Sequence, residues 1–454
     1  MSFVKRLQNA LESLHSLSDD TNYVVAYSGG LDSHVLLHCC KQLKLPVRAV
    51  HVHHGLQAVA DDWVQHCQSV CDALDIPLDV LYVDAKAEQG QSPEEAARKV
   101  RYQALQDNLS NADCLITAQH LDDQAETLLL QLFRTASTAG LAAMPASRQF
   151  GDHVHIRPLL SFSREEIERF ARSAGLQWIE DPSNEDVQFD RNYLRINLIP
   201  QLKQRWPEIT RQLSTVASLQ SNNLRVLEDM AAIDLANTIR LSPWRSKIPV
   251  YDAVSLLSIA ALKELSSARL FNLLRYWIIT TTKTSPTRKL LQEIEKTLVN
   301  SQADANPVIP FSGFEFRKYQ DDLYLLKPNI DKNFQHELAN DLAWDTTSPL
   351  VISFLNIQLK AVDTIGEGLK KSLLVEPLTI RFRRGGEKFH PAGRRHSQSL
   401  KKLLQEANVP PWQRDVVPLL YSGDELVAVV GLWIGKGFGV GEGESGWSVG
   451  IEGL

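Results

Sequence analysis

The sequence predicts an α/β protein: an N-terminal doubly wound, mostly parallel sheet, followed by a helical/α+β middle domain and a small α+β C-terminal domain. Three observations carry this expectation. Short apolar, β-branched runs at 23–27, 47–52, 78–83 and 114–118 alternate with helical periodicities. Polar clusters, SGGLDS, HVHHGL and TAQHLDDQAET, stand where three of these runs stop, and open parallel sheets place their ligands outside the carboxyl ends of strands. The final stretch differs in character, with basic residues crowded into a chain that is acidic overall.

The composition sets limits on function. The chain has 454 residues, enough for two to four domains at about 150 residues each. Boundaries are expected at 1–215 for a catalytic domain, 216–330 for a middle domain, 331–375 for a β-rich connection and 376–454 for the C-terminal domain. Hydrophobic residues make up 44%, ample for several cores, and the net charge of −6 excludes a uniformly basic nucleic-acid binder. A polyanion must therefore dock on a local patch. Cys39, Cys40, Cys67, Cys71 and Cys114 form no Cys-x-x-Cys and read as buried reduced thiols. Neither a signal peptide nor an apolar run of about 18 residues is present, which predicts a soluble, cytoplasmic chain without membrane contact.

Taken in order, 1–18 reads as a short amphipathic helix built on Val4, Leu7, Leu11 and Leu14. Asn22 to Leu37, NYVVAYSGGLDSHVLL, then gives strand, tight turn and helix. Gly29 and Gly30 are expected to allow positive φ and close backbone approach. Ser28, Ser33 and the free N–H groups of the new helix face a turn where the dipole favours an anion. Asp32, a carboxylate beside a phosphate, is expected to hold a divalent cation. The loop is neither a Walker A sequence nor a dinucleotide fingerprint. An ordinary glycine-rich turn is the plain alternative, and the full Ser-Gly-Gly-x-Asp-Ser pattern directly after a strand weighs against it. SGGLDS resembles the PP-loop of ATP pyrophosphatases, which cleave ATP between the α- and β-phosphates. That resemblance implies adenylation of a substrate.

The second strand ends in His51–Leu56. His51 and His53 share a strand face, yet no Cys or carboxylate stands at ligand spacing, so a phosphate- or base-contacting loop is expected rather than zinc. Helix 63–74 and strand 78–83 follow. In SPEEAARKVRYQAL, Ser92 caps a helix on which Glu95, Arg98, Arg101 and Tyr102 share one face. After the strand 114–118, His120, Asp123, Glu126 and Thr127 lie along one side of the next helix. A small hairpin falls within 140–158, and a helix begins at the capping box Ser163/Glu166. In 178–202, Pro182 and Asn184 break structure before Arg191, Asn192 and Arg195.

SGGLDS, HVHHGL, EAARKVRY, HLDDQAET, EDPSN and RNYLRINLIP, in this order, resemble the tRNA(Ile)-lysidine synthetase family; Gln57 stands where that family often carries arginine. The resemblance implies ATP-dependent, Mg²⁺-assisted joining of free L-lysine to C2 of the wobble cytidine of CAU-anticodon isoleucine tRNA. The path runs through an adenylated cytidine, with loss of pyrophosphate and then AMP. It also implies roles. Ser28, Gly29, Gly30, Leu31, Asp32, Ser33 and His54 would hold ATP, and Asp32 the metal. Arg98 and Arg101 would stabilise phosphate or the activated base. His120, Asp123 and Glu126 would hold lysine, with Asp32, Arg98, Arg101 and Asp123 as the catalytic set. Arg191, Asn192 and Arg195 would meet the anticodon stem-loop. The resemblance leaves room for a homodimer.

Beyond it, 207–239 reads as one long helix, 254–277 as a helical region, 287–299 as a helix, and 314–319 with 322–326 as a strand pair. From Arg381 to Lys402, eight basic residues, among them Arg383, Arg384, Arg394, Arg395, Lys401 and Lys402, face one acid, Glu387. Such a patch suits a phosphate backbone. RGGEKFHPAG and SLKKLLQEANVPPWQRD resemble the same family's tRNA-binding C-terminal domain. Three rivals remain: a PP-loop tRNA thiolase, which would need an accessible cysteine pair; a small-molecule adenylating enzyme such as an NAD synthetase, which would not need the basic patch; and a non-catalytic RNA-binding module, which would not need Asp32, Asp123 and Glu126.

Overall fold

The computed structural model describes residues 1–14, 21–53, 60–84, 93–134, 136–240, 251–301, 307–328, 334–374 and 378–453. The chain divides into two compact units, Met1–Val226 and Leu227–Leu454.

The first unit is built on a six-stranded sheet of β1 (Asn22–Ala26), β2 (Val47–His53), β3 (Leu78–Tyr82), β4 (Asp113–Ile116), β5 (Ser147–Phe150) and β6 (His153–Ile156), in the order β3-β2-β1-β4-β6-β5. All neighbours are parallel except the β5–β6 hairpin at the edge. The order reverses direction at β1, so β2 and β4 flank it and a crevice opens at the carboxyl end of β1. Helices α1 (Phe3–Leu14), α2 (Leu31–Gln42) and α7 (Arg164–Ser173) cover one face. Their buried Leu7, Leu11, Val35 and Ile167 pack in one core with Tyr23, Val25 and Ile116. On the other face α4 (Pro93–Asp107) lays Leu105 and Tyr102 against Val24, Val50 and Leu115. Adjacent β1 residues thus face opposite cores, which is why the strand reads as an unbroken apolar run rather than as an alternation.

Helix α3 (Ala60–Leu74) follows β2, and α5 (Leu121–Phe133) with the single turn α6 (Thr138–Leu141) follows β4. After α7 the chain makes a 3₁₀ turn at Pro182–Glu185. It then runs through α8 (Asp190–Tyr193), a π turn (Leu194–Leu198) and α9 (Ile199–Arg205) into α10 (Ile209–Thr238). All five cysteines are buried and unpaired, as expected.

In the second unit, five strands, β7 (Ile239–Arg240), β8 (Tyr251–Ser258), β9 (Val308–Phe311), β10 (Phe314–Tyr319) and β11 (Asp322–Pro328), form an antiparallel sheet in the order β7-β8-β11-β10-β9. Residues 254–258 were expected in a helix and are strand. A short apolar run such as VSLLS carries no decisive periodicity; here Leu256 faces one core and Leu257 another, as do Leu326 and Leu325 on β11. The expected helix then begins with α11 (Ile259–Lys263) and α12 (Ser267–Thr282).

Three more sheets, of five, three and two strands, close the unit. Residues 331–375, read from sequence as a connection, contribute directly to the first two: Leu342–Trp344 pairs with Leu378–Arg381, and Ile357–Ile365 with Ser445–Gly453. Among the described residues no helix is long and apolar enough to cross a membrane.

Candidate active site at the carboxyl edge of the parallel sheet

The loop after β1 has the expected form with one correction. Gly29 takes a φ of +79°, and a Cβ there would stand 2.8 Å from Ile179 Cδ1 and 3.0 Å from Cys67 Sγ. Gly30 instead is extended at φ −76°, ψ 165°, and caps α2, so only the first glycine needs the left-handed region. The reason lies in the helix start: an N-cap residue adopts β-type angles. Ser33 ties the turn together. Its hydroxyl donates to Gly30 O at 3.0 Å and accepts from the Ser28 N–H at 3.2 Å, with Ser28 Oγ 3.1 Å away. No side chain caps α2, so its first-turn amides stay directed at the turn. Leu31 and Ser33 are buried in this start. From the far side, Ile179 N–H donates to Gly29 O at 3.0 Å, which closes the EDPSN segment over the loop.

Four carboxylates gather beside it. Asp32 Oδ2 accepts from Arg164 Nη1 at 2.5 Å, while its Oδ1 is buried without a hydrogen-bond partner, 3.8 Å from His120 Nε2. Such an orphaned carboxylate oxygen beside a phosphate-type loop fits a magnesium ion, which completes its shell with substrate phosphates and water. His120 begins α5; its N–H donates to Asp123 Oδ2 at 3.0 Å, and its Nε2 lies 3.5 Å from that same oxygen. Asp122 accepts from the Arg164 N–H at 2.9 Å and from Lys203 Nζ at 3.2 Å. Glu126, one turn on and 1% exposed, is gripped by two guanidiniums. Arg191 Nε donates to its Oε2 at 2.9 Å, and Arg195 Nε and Nη2 donate to Oε1 and Oε2 at 2.7 and 2.9 Å. Arg195 Nη2 also reaches Asp123 Oδ1 at 3.1 Å, and Arg191 Nη2 donates to Thr127 Oγ1 at 2.9 Å.

Helical spacing produces this match. Asp123 and Glu126 are three apart on α5, Arg191 and Arg195 four apart along α8 and the π turn, so each pair projects from one face toward the other. Burial pushes the Asp123 carboxyl up, but His120, Arg191, the His120 N–H and Arg195 together hold it below the usual carboxylate range. For Glu126 burial prevails, and its carboxyl sits above the ordinary range despite the Arg195 hydrogen bonds.

The expected residues are therefore placed unevenly. Ser28, Gly29, Gly30, Leu31, Asp32, Ser33, His120, Asp123 and Glu126 belong to one locality. Arg191 and Arg195, expected at RNA, lie in its wall with their guanidiniums on carboxylates. Asn192 is 8% exposed and donates to Ser183 O and Asp186 O at 2.9 Å, which pins the EDPSN turn. Arg98 and Arg101 stand elsewhere on the edge, over the Tyr102 ring at 5.1 and 5.7 Å. His54 lies outside the described residues. Its neighbour His51 is buried with Nδ1 3.0 Å from Tyr27 O, and no metal-holding group of three or more His, Cys, Asp or Glu occurs among the described residues. Arg164, Asp122 and Lys203 were missed. Arg164 follows a capping serine and reads as an ordinary helix start, and nothing local in sequence announces a partner on another loop.

The basic C-terminal segment is less bare than its sequence suggests. Asp341, brought in from the neighbouring loop, pairs with Arg384 at 2.5 Å and Arg381 at 3.0 Å. Asp415 lies 3.4 Å from Arg383; Glu406 lies 2.5 Å from Arg394 and 3.9 Å from Lys402. Counting charges along the chain missed these acids because they arrive from later or earlier elements. Arg395 and Lys401 are exposed and make no ion pair among the described residues.

Comparison with known proteins agrees with this geometry. A PP-loop domain matches residues 2–202, a TilS substrate binding domain residues 257–324, and a TilS substrate C-terminal domain residues 378–451. The chain is 37% identical to the tRNA(Ile)-lysidine synthase of Coxiella burnetii, over 98% of this chain and 96% of that one. It is 40% identical to that of Methylococcus capsulatus over 93% and 94%, and 38% identical to that of Serratia proteamaculans over 97% and 98%. With the glycine turn, the carboxylate group and all three domains in register, the chain belongs to the tRNA(Ile)-lysidine synthetase family.

Proposed function

We propose that this chain joins free L-lysine to C2 of the wobble cytidine in CAU-anticodon isoleucine tRNA, consuming ATP and releasing pyrophosphate and AMP. One observation supports it most: an anion-type loop and a carboxylate group that suits an ammonium stand side by side at the carboxyl ends of β1 and β4. On this reading the first-turn amides of α2, with Ser28 and Ser33, hold the phosphates that leave. Asp32 Oδ1 holds magnesium, which supplies charge neutralisation at the leaving oxygens. Arg98 and Arg101 stabilise phosphate or the activated base.

Asp123, held ionised by its cations, pairs with the lysine ammonium, and Arg191 and Arg195 fix its orientation together with that of Glu126. Glu126 is the more readily protonated of the two and is the better acceptor for the proton shed when the amine attacks. The target base must leave its stack to reach the loop. RNA contact falls to Arg395 and Lys401, with Arg383, Arg384, Arg394 and Lys402 adding what their acid partners leave uncompensated. The same division assigns catalysis to 1–215, tRNA contact to 216–330 and 376–454, and a cytoplasmic location to the whole. A thiolase would need a reactive thiolate, but burial pushes the Cys40 and Cys67 thiols to about 12.

Incubation with ATP, Mg²⁺, radiolabelled lysine and CAU-anticodon isoleucine tRNA transcript should put label into the RNA. That label should require ATP and vanish when the wobble cytidine is replaced. RNA that stays unlabelled while AMP accumulates would overturn lysine as the nucleophile.

A further inference from the structure

The carboxyl edge of the sheet holds a second cluster, of opposite sign. Arg98 and Tyr102 are one turn apart on α4, and the hairpin places Arg148 of β5 directly opposite His155 of β6, with Arg157 just beyond. The Arg98 and Arg148 guanidiniums lie 5.1 and 5.6 Å from the Tyr102 ring centre. Beneath them Arg157 is 2% exposed. Its Nη1 donates to Pro145 O at 2.7 Å and its Nη2 to His155 Nδ1 at 3.3 Å, while its Nε is buried without a hydrogen-bond partner.

The surroundings make this charge stand out. Arg98, Arg148 and Arg157 pair with no carboxylate among the described residues, whereas every arginine of the Asp32–Glu126 group does. His155, wholly buried, offers no counter-charge. Arg148 Nε donates to its Nδ1 at 3.2 Å, so its single proton sits on Nε2, 2.7 Å from Thr117 Oγ1. That hydroxyl in turn donates to Gln119 Oε1, on the loop that begins the carboxylate site. Burial, then Arg157, Arg148 and Arg98, drive the imidazole down to about 2. Burial pushes the Tyr102 phenol up, but Arg98, Arg157, Arg101 and Arg148 outweigh it and bring it below its ordinary value. A buried guanidinium whose Nε has no hydrogen-bond partner, in a like-charged cluster that meets no carboxylate among the described residues, is arranged for an anion from outside.

We propose that Arg98, Arg148 and Arg157 bind one phosphate group above Tyr102, at the carboxyl ends of β4 and β6. Guanidinium forks match phosphate oxygens two at a time and stack on aromatic faces, which favours phosphate over a point-charge partner. The inference rests on the proposed activity for its two sources: a phosphodiester of the RNA, or a phosphate of ATP. The Thr117–Gln119 chain then fixes the anion's position relative to His120.

Binding of the wild type and of an Arg98→Gln/Arg148→Gln double variant would be measured separately for ATP and for a CAU anticodon stem-loop RNA, each across a salt series. Both side chains are exposed, so folding should survive, with melting as the check. At least one affinity should fall about tenfold. If RNA is the source, the slope of log affinity against log salt should shrink by about 1. If ATP is the source, its affinity alone falls and the RNA slope stays put. Arg157→Lys, which keeps the charge and loses the fork, should weaken the same ligand to a lesser degree. A double variant that binds both ligands like the wild type would sink the site. Lysine incorporation by the wild type is scored in parallel, so that failure of the activity and failure of the anion site are told apart.

Discussion

Two stretches of one sheet edge carry opposite charge. Around β1 and β4, Asp32, Asp122, Asp123 and Glu126 each meet a cation within the fold: Arg164, Lys203, Arg195 and Arg191. Around β4 and β6, Arg98, Arg148 and Arg157 meet no carboxylate among the described residues. The first stretch is thus a preorganised, nearly neutral group whose geometry is fixed before any ligand arrives. The second carries a positive charge that no carboxylate among the described residues offsets. The proposed reaction would use both, a place to orient the lysine before its amine attacks the adenylated base and a place to hold phosphate, at neighbouring strand ends of the parallel sheet.

The largest effect should come from the acidic stretch. Asp123→Asn keeps the shape and removes the charge proposed to face the lysine ammonium. Lysidine formation should drop by about 10²–10⁴-fold, measured as labelled lysine in the RNA, with melting close to wild type. Near-normal turnover would remove Asp123 from the lysine site and dissolve the contrast between the two stretches. Glu126→Gln tests the other role of these carboxylates. It leaves Arg191 and Arg195 facing a neutral amide in a buried position. Both arginines are partly exposed, so solvent absorbs some of the loss, and stability should fall by about 2 kcal/mol, read from the urea midpoint at unchanged slope. A variant as stable as the wild type would mean that the pairing orients without stabilising.

Much of the acidic stretch was legible in the sequence, because glycine turns and helix faces are local. SGGLDS forecast the tight glycine turn between strand and helix, and three- and four-residue spacing forecast the shared face of Asp123 and Glu126. What escaped was pairing at long range. Arg164 and Asp32 are 132 positions apart, and a guanidinium after a capping serine looks like helix-start chemistry alone. Arg191 and Arg195 were read outward, toward RNA, since sequence spacing shows which residues share a face but not which way that face turns. The basic stretch was half legible. Arg98 and Arg101 were singled out, but Arg148 and Arg157 sit in an unremarkable hairpin whose register alone brings them to Tyr102. The C-terminal patch shows the same limit: acids from other elements neutralise much of what the local count promised.

The basic stretch should also leave a mark on acid stability. His155 is held neutral to about pH 2, against an ordinary value near 6.5. Between those limits the unfolded chain binds a proton that the folded chain refuses. Stability from this group is complete above about pH 6.5 and declines as pH falls, by up to about 1.4 kcal/mol per unit. His155→Asn removes the titration, so its stability should fall less steeply between pH 7 and 5.5 than that of the wild type. Parallel pH profiles would mean that His155 is not held neutral, and that the arginines around it are already compensated.

The smallest effect tests how the two halves of the acidic stretch differ. Arg164 is 46% exposed at its side chain, so its ion pair with Asp32 lies largely in solvent. Arg164→Ala should change stability by less than about 1 kcal/mol. Its functional consequence has a definite sign. Removing a cation from beside Asp32 leaves that carboxylate freer for magnesium, so half-maximal activity should be reached at a Mg²⁺ concentration lower by about two- to fivefold. Asp123→Asn, which leaves the Asp32–Arg164 pair intact, should not produce that shift in whatever activity it retains. If the Mg²⁺ requirement of Arg164→Ala matches the wild type, Asp32 does not hold the ion, and its orphaned oxygen belongs to His120 and to the positioning of lysine.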